Sequence, residues 1–273
     1  MINRKDLNVR DPYIYVENDI YYMYASYQAK EDAYPSFVCY KSKDLENFEG
    51  PFYIFKRPEN FWATKQFWAP EMHKYNGKYY LFASLKSDDK CRGTQIFVCD
   101  TPDGTYEPLT EEPVTPRDWE CLDGTLYVEN DIPYMVFCHE WLQVEDGRMC
   151  VMPLTKDLKE AAGEPIELFR ASHAKWVVPY SGNKNYVTDG PFIIKKNNKL
   201  CMLWSSFSNE GYALGICEST SILGPWIQNE KPLFSKNGGH GMVFEKDGEL
   251  MLALHSPNSP DGSERPIFIK YKY

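Results

Sequence analysis

The sequence predicts an all-β fold: a five-bladed β-propeller built as a single domain over residues 1–273, with four antiparallel strands per blade. Three observations carry this prediction. One hairpin pattern recurs five times, each copy turns on Asn, Asp or Gly, and aromatic residues are many, with 20 Tyr, 15 Phe and 7 Trp among 273. Aromatic side chains favour strands, and Asn-Gly or Asp-Gly between alternating strands is a strong hairpin signal. The first copy runs 11–15 and 20–26 about a turn at 17–19. The second runs 69–73 and 78–84 about Asn76-Gly77, and the third 123–127 and 132–137 about 129–131. The fourth pairs 189–193 with 200–206 about Asn197-Asn198, and the fifth 240–244 with 249–254 about Asp247-Gly248.

After most hairpins a second apolar segment follows, at 37–40, 96–100, 149–152 and 214–217, and then a further turn. These read as a third strand and a fourth, edge strand. Asp11, Ala69, Asp123, Asp189 and His240 begin the five copies at spacings of 58, 54, 66 and 51 residues. Units of four strands repeated in phase at this period specify a propeller.

Composition narrows the function classes. With 30 Lys+Arg against 39 Asp+Glu the net charge is −9, which argues against nucleic-acid and anionic-membrane partners because nothing offsets phosphate charge. No apolar run reaches the roughly 18 residues of a membrane span. Cys39, Cys99, Cys138, Cys150, Cys201 and Cys217 sit inside apolar strand-like runs, and no C-x-x-C pair occurs, so reduced, buried thiols are expected rather than zinc or dithiol chemistry. The charged N-terminus has no apolar stretch after it. Together with reduced thiols, this points to the cytoplasm.

In a propeller the first strand of every blade lines the axis, so residues distant in sequence converge there. The face that receives the first-strand starts collects Asp11, Ala69, Asp123, Asp189 and His240, with Glu71 two residues further in. The ends of the second strands bring Gln28, Lys86, His139-Glu140-Trp141, Phe207-Ser208 and His255 to the same face. Carboxylates gathered around one axis repel one another and lose hydration unless water or a ligand uses them. Flanked by aromatics, such a ring fits glycoside hydrolysis: an ionised carboxylate activates water while a protonated one serves the leaving oxygen. A third carboxylate nearby helps the acid keep its proton. Inverting hydrolysis needs base and acid roughly 6.5–9.5 Å apart, with a water between.

The motifs Arg10-Asp11-Pro12, Phe67-Trp68-Ala69-Pro70-Glu71, Leu122-Asp123-Gly124, Asp189-Gly190-Pro191-Phe192 and Gly238-Gly239-His240-Gly241-Met242 resemble the blade motifs of glycoside hydrolase family 43 over essentially the whole chain. The resemblance implies a five-bladed propeller, inversion, and substrates such as α-L-arabinofuranosides, β-xylosides or galactosides. It implies Asp11 as general base and Asp123 as the residue that tunes and orients the acid. The β-sandwich that follows the propeller in many members has no counterpart up to Tyr273. The family's acid is Glu in a Glu-Gly-Pro motif, where this sequence has Asp189, one methylene shorter. Asp189 and Glu140 therefore both stand as acid candidates, with Glu71 behind them. His240 faces the axial channel on this resemblance, either binding calcium or another cation or making a structural hydrogen bond. No cofactor is otherwise required.

Trp68, Trp141, Trp204 and Phe207, with Phe67, are the candidate sugar-stacking walls, and Glu71 and His139 the candidate polar contacts. The reading is an exo-acting hydrolase that releases arabinofuranosyl or xylosyl units from oligosaccharides. The alternative is a non-catalytic carbohydrate-binding propeller disabled at Asp189. Scattered arginines offer no phosphate cluster for phosphorolysis. Sugar identity belongs to the rim segments 28–36, 60–67, 86–94 and 173–187, and the sequence leaves oligomeric state open.

Overall fold

The computed structural model describes residues 1–26, 36–182, 184–259 and 261–273. Among these residues the strands form five antiparallel sheets, the blades of a propeller. Blade 1 is built from Arg10–Glu17, Ile20–Ser26, Ser36–Ser42 and Asn47–Lys56, from the axis outwards. Blades 2, 3 and 4 each have four strands. Their inner hairpins are Lys65–Tyr75 with Lys78–Lys86, Cys121–Glu129 with Ile132–His139, and Asp189–Lys196 with Lys199–Ser208. Blade 5 comprises Gly239–Lys246, Glu249–Ser256 and Arg265–Lys270.

All five inner hairpins close as the turn chemistry predicts. The two central residues have positive φ in each: Asn18-Asp19, Asn76-Gly77, Asn130-Asp131, Asn197-Asn198 and Asp247-Gly248. That is the turn whose twist matches paired strands, and Asn, Asp and Gly tolerate it best.

The uniform count of four strands per blade needs correction. Among the described residues, Ile2–Asn3 adds a fifth, outermost strand to blade 1, pairing with Asn47 and Phe48, while blade 5 has three. The first strand of the chain therefore does not complete the last blade. Side chains tie the two instead: Arg265 Nε donates to Lys5 O at 2.7 Å, and Asn8 Nδ2 to Gly262 O at 2.5 Å.

The core lies between blades, where sheet faces interdigitate. Phe37 and Phe55 of blade 1 pack on Phe67 and Phe97 of blade 2, with ring centroids 4.7–6.3 Å apart. Trp204 of blade 4 is wholly buried against Phe169 and Trp176, at 5.2 Å from each. Room for Trp176 exists because Gly215 has no side chain; a Cβ there would lie 2.3 Å from the indole.

Candidate active site

Every inner strand carries the same irregularity in its first half. Pairing is regular at Arg10↔Ser26, Trp68↔Ser84, Leu122↔Cys138, Asp189↔Ser205 and Gly239↔His255, and then slips before resuming at Tyr13, Glu71, Thr125, Phe192 and Met242. The residue just after each of those paired positions is left-handed: Asp11 (φ 53°), Ala69 (44°), Asp123 (55°), Gly190 (50°) and His240 (51°). A bulge of this kind re-aims side chains beside a site. Here it turns two successive residues of one strand towards the same cavity, which a regular strand could not do.

The bulge register corrects one expectation. Asp189 is not the counterpart of Asp11 and Asp123; Gly190 is. Asp189 shares its position with Arg10, Trp68 and Leu122, one residue nearer the rim. The cavity thus has two layers, with Arg10, Trp68, Leu122 and Asp189 above Asp11, Asp123 and His240, all lining a space of about 290 Å³. Glu140, Trp141 and Phe207 complete the predicted residues found there, joined by Ser26, Tyr180, Val187 and Tyr212.

In the lower layer, His240 Nδ1 lies 3.3 Å from Asp11 Oδ1 and 3.8 Å from Asp123 Oδ2. Gly190 allows this, since a Cβ there would come within 2.8–3.0 Å of the His240 ring. Burial alone would lower the His240 pKa, but Asp11, Asp123, Asp189 and Glu71 together raise it. Burial would likewise raise Asp11. The charges of His240 and Arg10 and the Ser26 hydroxyl, 2.7 Å from Oδ2, overcome it and bring Asp11 down to about 2. Asp11 is ionised at every ordinary pH.

Asp189 has the opposite surroundings. Burial and then the charge of Asp123 raise it to about 7, with Glu140 adding least, against the pull of His240 and of the Tyr212 hydroxyl, which donates to Oδ2 at 2.9 Å. Asp123 is also raised, by burial and by Asp11, and its Oδ2 accepts the Gly190 N–H at 3.0 Å. Glu140 is raised by burial but opposed by Arg92, whose guanidinium it contacts directly. Arg92 is 2% exposed. Protonating Glu140 would leave that buried cation unpaired, at a cost of several kcal/mol, so the ion pair holds Glu140 ionised. Arg92 also carries Trp68 on its face at 4.5 Å and donates to Gln66.

Three predicted contacts lie elsewhere. Trp204 is core rather than sugar wall: alternation turns its ring into the junction between blades 3 and 4, where Nε1 donates to Gln228. His139 is stacked on Trp119 at 4.2 Å and bonded to Gln143, which draws it out of the cavity lining. Glu71 lies below the cavity beside His73 at 3.3 Å, two positions past Ala69 where the strand has descended along the axis. Gln28 and the rim segment 28–35 lie outside the described residues, as does Asn183 in the segment 173–187.

For a cation at His240, no three His, Cys, Asp or Glu side chains among the described residues converge as a ligand set. The His240 Nδ1 is directed at Asp11 and Asp123 instead. The residues do not form a protein cage for a metal, and no chemical step is assigned to one.

A family model described as glycosyl hydrolases family 43 matches residues 6–270. The chain belongs to family 43. It is 22% identical, over 94% of its length, to an extracellular exo-α-(1→5)-L-arabinofuranosidase of Streptomyces avermitilis. It is 24% identical, over 97%, to α-L-arabinofuranosidase 43 of Humicola insolens. It spans 56% and 58% of those two relatives. Among solved structures, an endo-arabinase from Bacteroides thetaiotaomicron superposes with a TM-score of 0.92 at 39% identity, covering 100% of this chain and 97% of that one.

These family 43 relatives overturn the cytoplasmic reading, because the Streptomyces enzyme is extracellular. Unpaired thiols did not discriminate. All eight cysteines are free, and six are fully buried in the blades, so packing rather than a reducing compartment accounts for them.

Sequence reasoning missed Arg92, Tyr212 and the role of Arg10. Arg92 and Tyr212 stand at the start of third strands, after the hairpin that joins strands two and three. That hairpin lies on the cavity face as well, and this was the signal available. Arg10 sits beside the base, its guanidinium held by the buried Glu264 at 3.3 Å and by Asn258 at 2.6 Å.

Proposed function

We propose that this family 43 protein is an inverting, exo-acting glycosidase that releases α-L-arabinofuranosyl units from oligosaccharides. One observation carries the mechanism: a single cavity holds one carboxylate pulled well below the usual range and another pushed up to about 7. Carboxyl groups whose surroundings separate them in this way have the properties of a base and an acid.

In this mechanism Asp11 accepts a proton from a water as that water forms a bond to the anomeric carbon. Asp189 gives its proton to the glycosidic oxygen as the carbon–oxygen bond breaks on the opposite face. The sugar leaves with inverted configuration, and exchange with solvent restores both carboxyls. His240, as imidazolium, keeps Asp11 ionised, and Asp123 keeps Asp189 protonated. Glu140, paired with Arg92, binds a sugar hydroxyl. Trp68, backed by the Arg92 guanidinium, and Trp141 and Phe207 supply apolar faces. The arabinofuranosyl class is supported by the names of the relatives. Exo action is supported by the cavity's size, about 290 Å³, at the lower edge of small-molecule sites.

The test is hydrolysis of linear α-1,5-arabino-oligosaccharides, followed by proton NMR of the first-formed anomer. Arabinose alone, released in the inverted configuration, supports the proposal. A ladder of oligomers would transfer the endo action of the Bacteroides relative's name to this chain. Xylose released from β-xylosides without arabinose would change the substrate class. Sugar binding by calorimetry with no turnover on any substrate would revive the non-catalytic propeller.

A further inference from the structure

The bulge residues are latched from blade to blade by a ring of hydrogen bonds. A residue in the last, turn-distal part of the second strand of one blade accepts the N–H of the left-handed residue in the next. Ser26 Oγ accepts from Ala69 N at 2.8 Å, Ser84 Oγ from Asp123 N at 2.8 Å, Ser205 Oγ from His240 N at 2.7 Å, and His255 Nδ1 from Asp11 N at 3.2 Å. These four acceptors occupy one register position, opposite Arg10, Trp68, Asp189 and Gly239.

The fifth junction differs. In blade 3 the register position holds Cys138, opposite Leu122 and fully buried. A thiol is a weak hydrogen-bond acceptor. The Gly190 N–H that would meet it bonds to Asp123 Oδ2 instead, at 3.0 Å. Asp123 is thus anchored at both oxygens, with Oδ1 receiving the Ser84 hydroxyl at 3.2 Å. Gly190 adjoins Asp189, and Asp123 is the charge that most strongly raises the Asp189 carboxyl.

We propose that Cys138 is a positioning residue: by interrupting the ring of latches it yields the Gly190 N–H to Asp123 and so sets that carboxylate against Asp189. A serine here, as in blades 1, 2 and 4, would take the Gly190 N–H and release Asp123 Oδ2. The groups that act on Asp189 are Asp123, Glu140, His240, Tyr212, Arg10 and Cys138. Of these, only Asp123 bonds to the backbone of Asp189's own strand. The proposal rests on Asp189 being the acid.

The test compares Cys138→Ser with Cys138→Ala. A residue that merely filled space would suffer more from alanine, which leaves a void, than from serine, which is closer in size and polarity. Positioning predicts the reverse order, because only serine competes for the N–H. On an arabino-oligosaccharide, Cys138→Ser is expected to lower kcat by about tenfold to a hundredfold with KM little changed, and Cys138→Ala to lower it less. An aryl arabinofuranoside, whose leaving group needs little protonation, should show a much smaller loss in Cys138→Ser. In an Asp123→Ala background the serine change should add almost nothing.

A crystal structure of Cys138→Ser reads the hydrogen bond directly and does not depend on activity. The introduced hydroxyl accepting from Gly190 supports the proposal, and the Asp123–Gly190 bond persisting overturns it. Alanine more harmful than serine on the oligosaccharide also overturns it. Should the wild-type protein prove inert on every glycoside, the catalytic reading fails, while the crystal structure still decides whether Cys138 controls the Asp123 contact.

Discussion

Asp11 and Asp189 both begin innermost strands and both line one cavity, yet their chemistry is opposite. Asp11 lies among His240, Arg10 and the Ser26 hydroxyl, all of which favour its charge. Asp189 faces Asp123 and Glu140, which oppose its charge, and is favoured by the Tyr212 hydroxyl and by His240 and Arg10, which it shares with Asp11. Neither set of neighbours comes chiefly from the residue's own strand. Asp11 is held by blade 5, and Asp189 by the third blade and by its own blade's third strand. In a closed ring of repeats, the role of a carboxylate is set by the blades on either side of it.

The largest test of this contrast is Asp11→Asn. It removes the carboxylate proposed to accept the water's proton, so turnover should fall by about 10³–10⁴-fold on natural and activated substrates alike. Retained activity on either would end the assignment. Asp189→Asn should be selective: a loss of about 10²–10³-fold on arabino-oligosaccharides, and a much smaller one on aryl arabinofuranosides. Equal losses on both would mean that Asp189 does not protonate the leaving group.

The pH profile sharpens the contrast further. With Asp189 at about 7, kcat/KM should fall by about tenfold per pH unit above neutrality. No matching acid limb is expected until the fold itself fails, because Asp11 stays ionised down to about 2. Stability follows with a definite sign. Asp189 has a raised folded-state pKa, so the unfolded chain loses this proton first as pH rises, and stability declines from the ordinary carboxylate range up to about 7. Asp189→Asn should therefore raise Tm by a few degrees at about pH 8 and by little at about pH 4, as read by scanning calorimetry. Asp11, whose pKa is depressed, contributes in the other sense. Its stabilisation is present above the ordinary range and is lost as pH falls towards 2.

The smallest expected effect is that of Tyr212→Phe. Removing the hydroxyl that donates to Asp189 Oδ2 takes away support for the charged form, so the alkaline limb should move upward by about half a unit. A downward shift would mean that the hydroxyl supports the protonated carboxyl instead.

Much of this was legible in the chain. Asn-Asp, Asn-Gly, Asn-Asn and Asp-Gly pairs located all five inner hairpins, and the repeat period placed Asp11, Asp123 and His240 around the axis. The bulge was not legible, because a slip of register leaves no mark in composition. Asp189 was therefore aligned with Asp11 although Gly190 is its true counterpart. Trp204 was misread for a related reason: an aromatic near a strand end looks the same whether alternation turns it to the cavity or to the next blade. Arg92 lies within the rim segment 86–94, but nothing in the sequence marks its buried pairing with Glu140, and Tyr212 lies on a third strand, outside the rim segments and the first- and second-strand ends.

The sequence by itself determined the repeat, the turns, and which residues could reach one end of the axis, since these depend on local backbone preference and on alternation within a strand. Only the tertiary structure decided which carboxyl holds a proton. That property depends on burial and on charges a few ångströms away, and the nearest of these come from residues far away along the chain.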